Sequence, residues 1–165
     1  MFFITYFLQA NFFNWFNIAG IKPNVFVILI LIMGLYSNKY VSYSMATILG
    51  LLLDFFCGKA IGIYGIIFLL TVILAKTLDK NFSKDNRMII MSMVASLTIV
   101  YETIFYTFNI LKFSASVDIF GYLKVLVVEI IFNILITIII YPLIQKIGSY
   151  IEDSFKPKGV ITRYL

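Results

Sequence analysis

The stretch from Gly50 to Gly62 reads GLLLDFFCGKAIG and sets an aspartate directly after three leucines, in a run otherwise suited to lipid. A charged side chain at the centre of a membrane helix costs about 3 kcal/mol or more unless it is paired, protonated or turned toward a polar cavity. The fold therefore has to supply something for Asp54. The same run carries Gly58, Lys59 and Gly62, which break the apolar pattern and divide it into two helices joined by a tight turn.

Composition sets the solvent. The 165 residues are 62% hydrophobic and 18% aromatic, with a mean hydropathy of +1.01. Charged residues make up 13%, about half the share of a soluble domain, and gather in short islands between long apolar runs. The expected fold class is an all-α integral membrane protein, a compact bundle of six transmembrane helices. The chain contains no histidine, which excludes a histidine base or an imidazole metal site. Its single cysteine, Cys57, excludes an intramolecular disulfide and a multi-cysteine zinc site, and no cofactor is expected. The net charge of +5 comes without a basic run interleaved with exposed aromatic residues, so nucleic acid is not an expected partner.

A bilayer core takes about 20 apolar residues of helix. The charge islands cut the chain into six pieces of roughly that size, near 2–20, 23–37, 40–57, 60–78, 88–111 and 121–146. Pro23 opens the second, where its missing N–H is of little consequence. The first lacks a basic leading region and a small-residue cleavage site, and Gln9, Asn11, Asn14 and Asn17 interrupt it. It reads as a retained helix whose amides face other helices. Lysine and arginine favour the cytoplasmic ends of spans. With the N-terminus inside, the inner connections and tail hold Lys39, Lys76, Lys80, Lys84, Arg87, Lys146, Lys156, Lys158 and Arg163. The outer connections hold only Lys22, Lys59, Lys112 and Lys124. Both termini are expected to be cytoplasmic, with a transmembrane domain over 1–147 and a short cytoplasmic tail over 148–165.

Three acids fall inside spans: Asp54, Glu102 and Glu129. At about 1.5 Å of rise per residue, all three lie in the outer half of the bilayer, level with Lys59, Lys124, Asn14, Asn17, Asn109 and Asn133. The expectation is an intramembrane polar layer in which these groups share hydrogen bonds and the carboxylates of Asp54, Glu102 and Glu129 are paired or protonated. The competing reading is that each acid reaches the interface on its own. Ser42, Ala46, Gly50, Asp54, Gly58 and Gly62 recur every fourth residue. Within a helix they form one slowly drifting stripe, and small residues in such a stripe let another helix approach closely.

The block carrying Gly50, Asp54, Gly58 and Gly62 at these spacings resembles the rod shape-determining protein MreD family, as do the proline opening the second helix and the short basic turn before the third. The resemblance covers most of the chain. It implies a bacterial inner-membrane, multi-pass subunit of the cell-elongation machinery. It also implies work with MreC and, through it or directly, with MreB, RodA and a penicillin-binding transpeptidase.

Catalysis needs positioned groups within hydrogen-bond reach of a substrate. The sequence offers no nucleophile–base pairing and no phosphate-cradling glycine loop. Asp54 is the one aspartate in mid-span, Asp118 falls in an expected outer loop, and Cys57 reads as a small packing residue at a helix end. The leading reading is a non-catalytic scaffold that binds partner membrane helices, with Gly50, Asp54, Gly58 and Gly62 as its packing and assembly motif. The aromatic clusters FFNWF (12–16) and YETIFYTF (101–108) read as interfacial anchors or lipid-facing area. The alternative is the substrate-binding membrane subunit of an energy-coupling-factor type vitamin transporter, with the outer polar layer lining a small-molecule pocket. Against it, the first helix has only Ala10 and Ala19 as small residues, too far apart for the docking motif common in those subunits.

Overall fold

A computed structural model of the chain describes residues 2–15, 17, 20–57, 61–81, 86–113 and 117–155. Among them the fold is all-helical. Helix α1 (Phe2–Phe7) runs into a π-helical turn (Leu8–Phe12), followed by α2 (Val25–Tyr36), α3 (Lys39–Cys57), α4 (Ile63–Asn81), α5 (Arg87–Phe113) and α6 (Ile119–Phe155). Three of these are long and apolar enough to cross a membrane by length and composition: Lys39–Cys57, Arg87–Lys112 and Ile119–Ile151.

The first element is shorter than the expected span over 2–20. Its six α-helical and five π-helical residues reach about 16 Å, half the hydrocarbon thickness. The cause is local. Asn11 Nδ2 donates back to the Phe7 carbonyl at 3.1 Å, and a turn follows through Asn14. Short polar side chains that bond their own backbone compete with continued helix.

Helix α2 is the centre of the molecule. Its 12 residues, VFVILILIMGLY, are apolar on every side, as a helix surrounded by protein should be. Val27, Ile30 and Leu31 have no exposed surface. Every other helix packs against α2. The approach of α4 is close: a Cβ on Gly34 would lie 2.5 Å from Ala75 Cβ. Helix α3 buries Ser42, Ala46, Gly50, Leu53 and Asp54 on one face. On α5 the buried residues Ile90, Met93, Val94, Leu97, Thr98, Tyr101 and Glu102 recur at three- and four-residue spacing, one stripe of the helix.

The outward faces are apolar as well. Phe55, Ile139 and Leu111 are each three-quarters or more exposed, a pattern suited to lipid rather than water. In the first aromatic cluster Trp15 is 87% exposed and Phe12 is exposed as well. The second turns inward: Tyr101 and Phe105 stack at 6.4 Å, and Phe105 stacks on Tyr64 at 5.7 Å. Tyr101 and Phe105 face the bundle rather than lipid because they share the core stripe of α5.

Helix α6 has 37 residues and continues through 147 to Phe155. Gly148 sits flat on the Tyr36 ring, where a Cβ would come within 2.5 Å of Cε1 and Cε2. The Arg87 guanidinium lies 4.9 Å over the Tyr141 ring of α6, and on α4 Lys76 pairs with Asp79 at 3.5 Å. Gly34 sets the α2–α4 distance. Gly34→Leu should lower the melting temperature of the detergent-solubilised protein by an overpacking cost of about 1–3 kcal/mol. Leu111→Ala, at an exposed position, should leave it near the wild-type value.

Candidate functional site

Helix α4 begins inside the bundle, and its first N–H groups have no partner of their own. The residue before it, Gly62, has φ +99° and no side chain to act as a cap. Asp54, from the last turn of α3, takes that role across the connection. Its Oδ2 accepts from Gly62 N–H at 3.0 Å and Gly65 N–H at 3.1 Å, and its Oδ1 from Tyr64 N–H at 2.9 Å. Asp54 is 2% exposed. Hydrogen bonds to a charged group contribute about 1.5–3 kcal/mol each, so three of them offset the cost of burying the carboxylate in an apolar bundle.

Gly50 makes this reach possible. It lies one turn before Asp54 on the same face, and a Cβ there would come within 2.6 Å of Gly65 Cα and 2.7 Å of Gly65 N, and closer still to the Tyr64 carbonyl oxygen. Gly65 in turn faces Leu51 and Asp54 Oδ2. Helices α3 and α4 therefore touch backbone to backbone at this level. Of the four residues of the proposed motif, Gly50 and Asp54 lie on the α3 face and Gly62 lies in the turn. Gly58 lies outside the described residues, as does Lys59. Gly65 was not singled out from the sequence, although its three-residue offset from Gly62 is visible there. Cys57, expected as a packing residue, is exposed.

The other two acids sit on the α5–α6 seam. Glu102 and Glu129 are both buried and lie against each other. On α6, Glu129, Asn133 and Thr137 recur every fourth residue and are all buried. Asn133 Nδ2 donates to Thr98 Oγ1 at 3.0 Å, while its Oδ1 accepts from the Asn24 N–H at 2.8 Å, just before α2. Gln9 completes that helix start: its Oε1 accepts from Val25 N–H at 3.0 Å and its Nε2 donates to the Pro23 carbonyl at 2.7 Å. At the far end of α2, Ser42 Oγ donates to the Met33 carbonyl at 2.8 Å.

The amides expected at this level divide accordingly. Asn133 joins the network. Asn14 accepts from Lys22 at an exposed position, and Asn109 bonds its own helix at Phe105. Asn17 and Lys124 are exposed. Asp118, read as a loop residue, caps α6 through Gly121 N–H at 2.9 Å. Gln9, expected to face another helix, meets the start of α2; Asn24 and Thr98 were missed, since nothing in the local sequence marks them as partners of a distant helix end.

Part of this network borders a cavity of about 500 Å³. Glu102, Glu129, Asn24 and Gln9 line it, with Tyr64, Tyr101 and Phe105 among its aromatic walls. Among the described residues no group of three or more acids or cysteines could hold a metal ion.

Asp54→Leu would leave the N–H groups of Gly62, Tyr64 and Gly65 unsatisfied in an apolar setting, at about 1–3 kcal/mol each. Asp54→Asn retains one acceptor oxygen but turns its NH₂ toward donors. The melting temperature should fall in the order wild type, Asn, Leu. Amide exchange at Gly62, Tyr64 and Gly65 should accelerate at least tenfold in the Leu variant. Equal melting of wild type and Asp54→Leu would remove the cap from the account.

Searches against curated proteins and against solved structures returned no match. The model of the rod shape-determining protein MreD family matches residues 1–148. That match takes in every helix start, cap and buried acid described above, and it gives the chain a role in cell shape: this membrane protein belongs to the MreD family.

Proposed function

We propose that the chain is a non-catalytic scaffold of the bacterial cell-elongation machinery, a multi-pass protein of the inner membrane. In this reading its six helical segments, including the short α1 and α2, make up a transmembrane domain over 1–147. Both termini are cytoplasmic, and 148–165 form a cytoplasmic tail carried on the end of α6. Its partners are the membrane helix of MreC and, through MreC or directly, MreB, RodA and a penicillin-binding transpeptidase, with lipid around the rest. Gly50, Asp54, Gly58 and Gly62 act as the assembly motif. Glu102 and Glu129 form the intramembrane polar layer, and no cofactor takes part.

The observation that carries this reading, beside the family match, is the use to which Asp54 is put. Both of its oxygens are occupied by backbone N–H groups, which suits a structural acid rather than a catalytic one. The exposed apolar flanks of α3, with Phe55, Ile48 and Met45, supply area on which a partner helix can pack. Membrane helices associate by such packing and by interhelical hydrogen bonds.

One observation favours the transporter alternative, the cavity of about 500 Å³ beside Glu102 and Glu129. A pull-down from native membranes separates the two. The wild-type chain should co-purify MreC and wall-synthesis enzymes, and Asp54→Leu should lose them. Recovery of a pair of ATPases with a membrane-coupling subunit would overturn the scaffold. Labelling of single cysteines at the two termini should show both on the cytoplasmic side.

A further inference from the structure

One polar space in the bundle is not used up by its own helix ends. Glu129 lines the cavity and is 5% exposed, and its Oε1 is buried with no hydrogen-bond partner among the described residues. Asn24, also on the lining, leaves its Oδ1 in the same condition. Asp54, by contrast, has both oxygens occupied, and Asn133 uses both its oxygen and its nitrogen. An unfilled buried acceptor is costly, so two on one cavity wall indicate a missing donor rather than a missing acceptor.

The chemistry of the walls narrows the donor. Glu102 adds a second carboxyl beside Glu129. Lys22, the one lysine on the lining, donates to Asn14 at 3.1 Å at an exposed position. A hard divalent cation would want six or more oxygens, and most of the remaining lining is aromatic, Phe26, Phe56, Tyr64, Tyr101 and Phe105 among it, with Ala10, Leu53 and Cys57 between the rings. Aromatic faces beside carboxyl groups suit an organic cation, which is held by hydrogen bonds at its head and by ring faces along its carbon atoms. A volume of about 500 Å³ falls within the range of small-ligand sites.

We propose that this cavity binds a primary ammonium group, carried by a small amine or by an aminophospholipid headgroup, with its N–H donors on Glu129, Glu102 and Asn24. The inference does not depend on which proteins the chain assembles with.

The full chain would be placed in nanodiscs of phosphatidylglycerol alone, in discs containing phosphatidylethanolamine, and in phosphatidylglycerol discs titrated with ethanolamine, with ethylene glycol as the uncharged control. Melting temperature and native mass spectrometry would be read for each. A rise in melting temperature with a retained adduct is expected for at least one ammonium probe and not for ethylene glycol. A response to phosphatidylethanolamine alone assigns the lipid source, and a saturable response to ethanolamine assigns the small amine. Glu129→Gln and Glu102→Gln should each weaken that response at least tenfold, while Leu111→Ala should leave it unchanged. If one Gln variant fails to fold, the other carries the comparison. The proposal is overturned if neither ammonium probe stabilises the wild type, or if both Gln variants respond as the wild type does.

Discussion

Much of what is polar inside this bundle answers to one constraint, the ends of helices that start or stop inside an apolar environment. A helix leaves four N–H groups and four carbonyls without internal partners. Where no water reaches them, each has to be satisfied by protein. A helix that crosses the whole bilayer delivers its ends to water. Helix α2, with 12 residues, is too short to do so by itself, and α4 starts one tight connection after α3 ends. Their ends are met by Asp54, Gln9, Asn133 and Ser42, each from another element or from the preceding connection.

This accounting explains why the buried polar residues are tolerated and why they cluster. Asp54, Gln9, Asn24, Glu102, Glu129 and Asn133 gather at the end of the bundle where α2 and α4 begin. The clustering follows from antiparallel neighbours. Two N-termini at one level call for acceptors, and the groups brought there are carboxylates and amide oxygens. The glycines serve the same end, since Gly50 and Gly65 bring the backbones of α3 and α4 near enough for one side chain to span them. Such packing holds the outer apolar faces in a fixed shape, as the proposed scaffold would require. The price is a cavity at this end of the bundle, bordered by the first turns of the chain, the start of α2 and helices α3 to α6, that retains unfilled acceptors.

Much of this was legible in residue order. The division of the apolar run at Gly58–Gly62 follows from turn chemistry, and the Ser42–Ala46–Gly50–Asp54 face from four-residue spacing on a single helix. Both are local signals, and residues of one helix need no tertiary information to be placed on one face. The stripe Glu129–Asn133–Thr137 was open to the same argument. Less legible was the length of α1. Hydropathy averaged over 2–20 describes a span, while the bond from Asn11 to Phe7 ends the helix well before it. The inward turn of Tyr101 and Phe105 was hidden for a similar reason: aromatic residues suit a lipid-facing surface and a core equally well.

The sequence by itself determined the solvent, the helical class, the position of the α3–α4 break and the identity of the three acids that need partners. These rest on composition and on spacing within one element. Only the tertiary structure decided what each acid meets. Asp54 finds backbone N–H groups eight to eleven residues away, and Asn133 meets the start of a helix 109 residues earlier. Hydrogen bonding depends on distance in space and on the direction of donors. Neither is fixed until α2 is enclosed and its neighbours have taken their places around it.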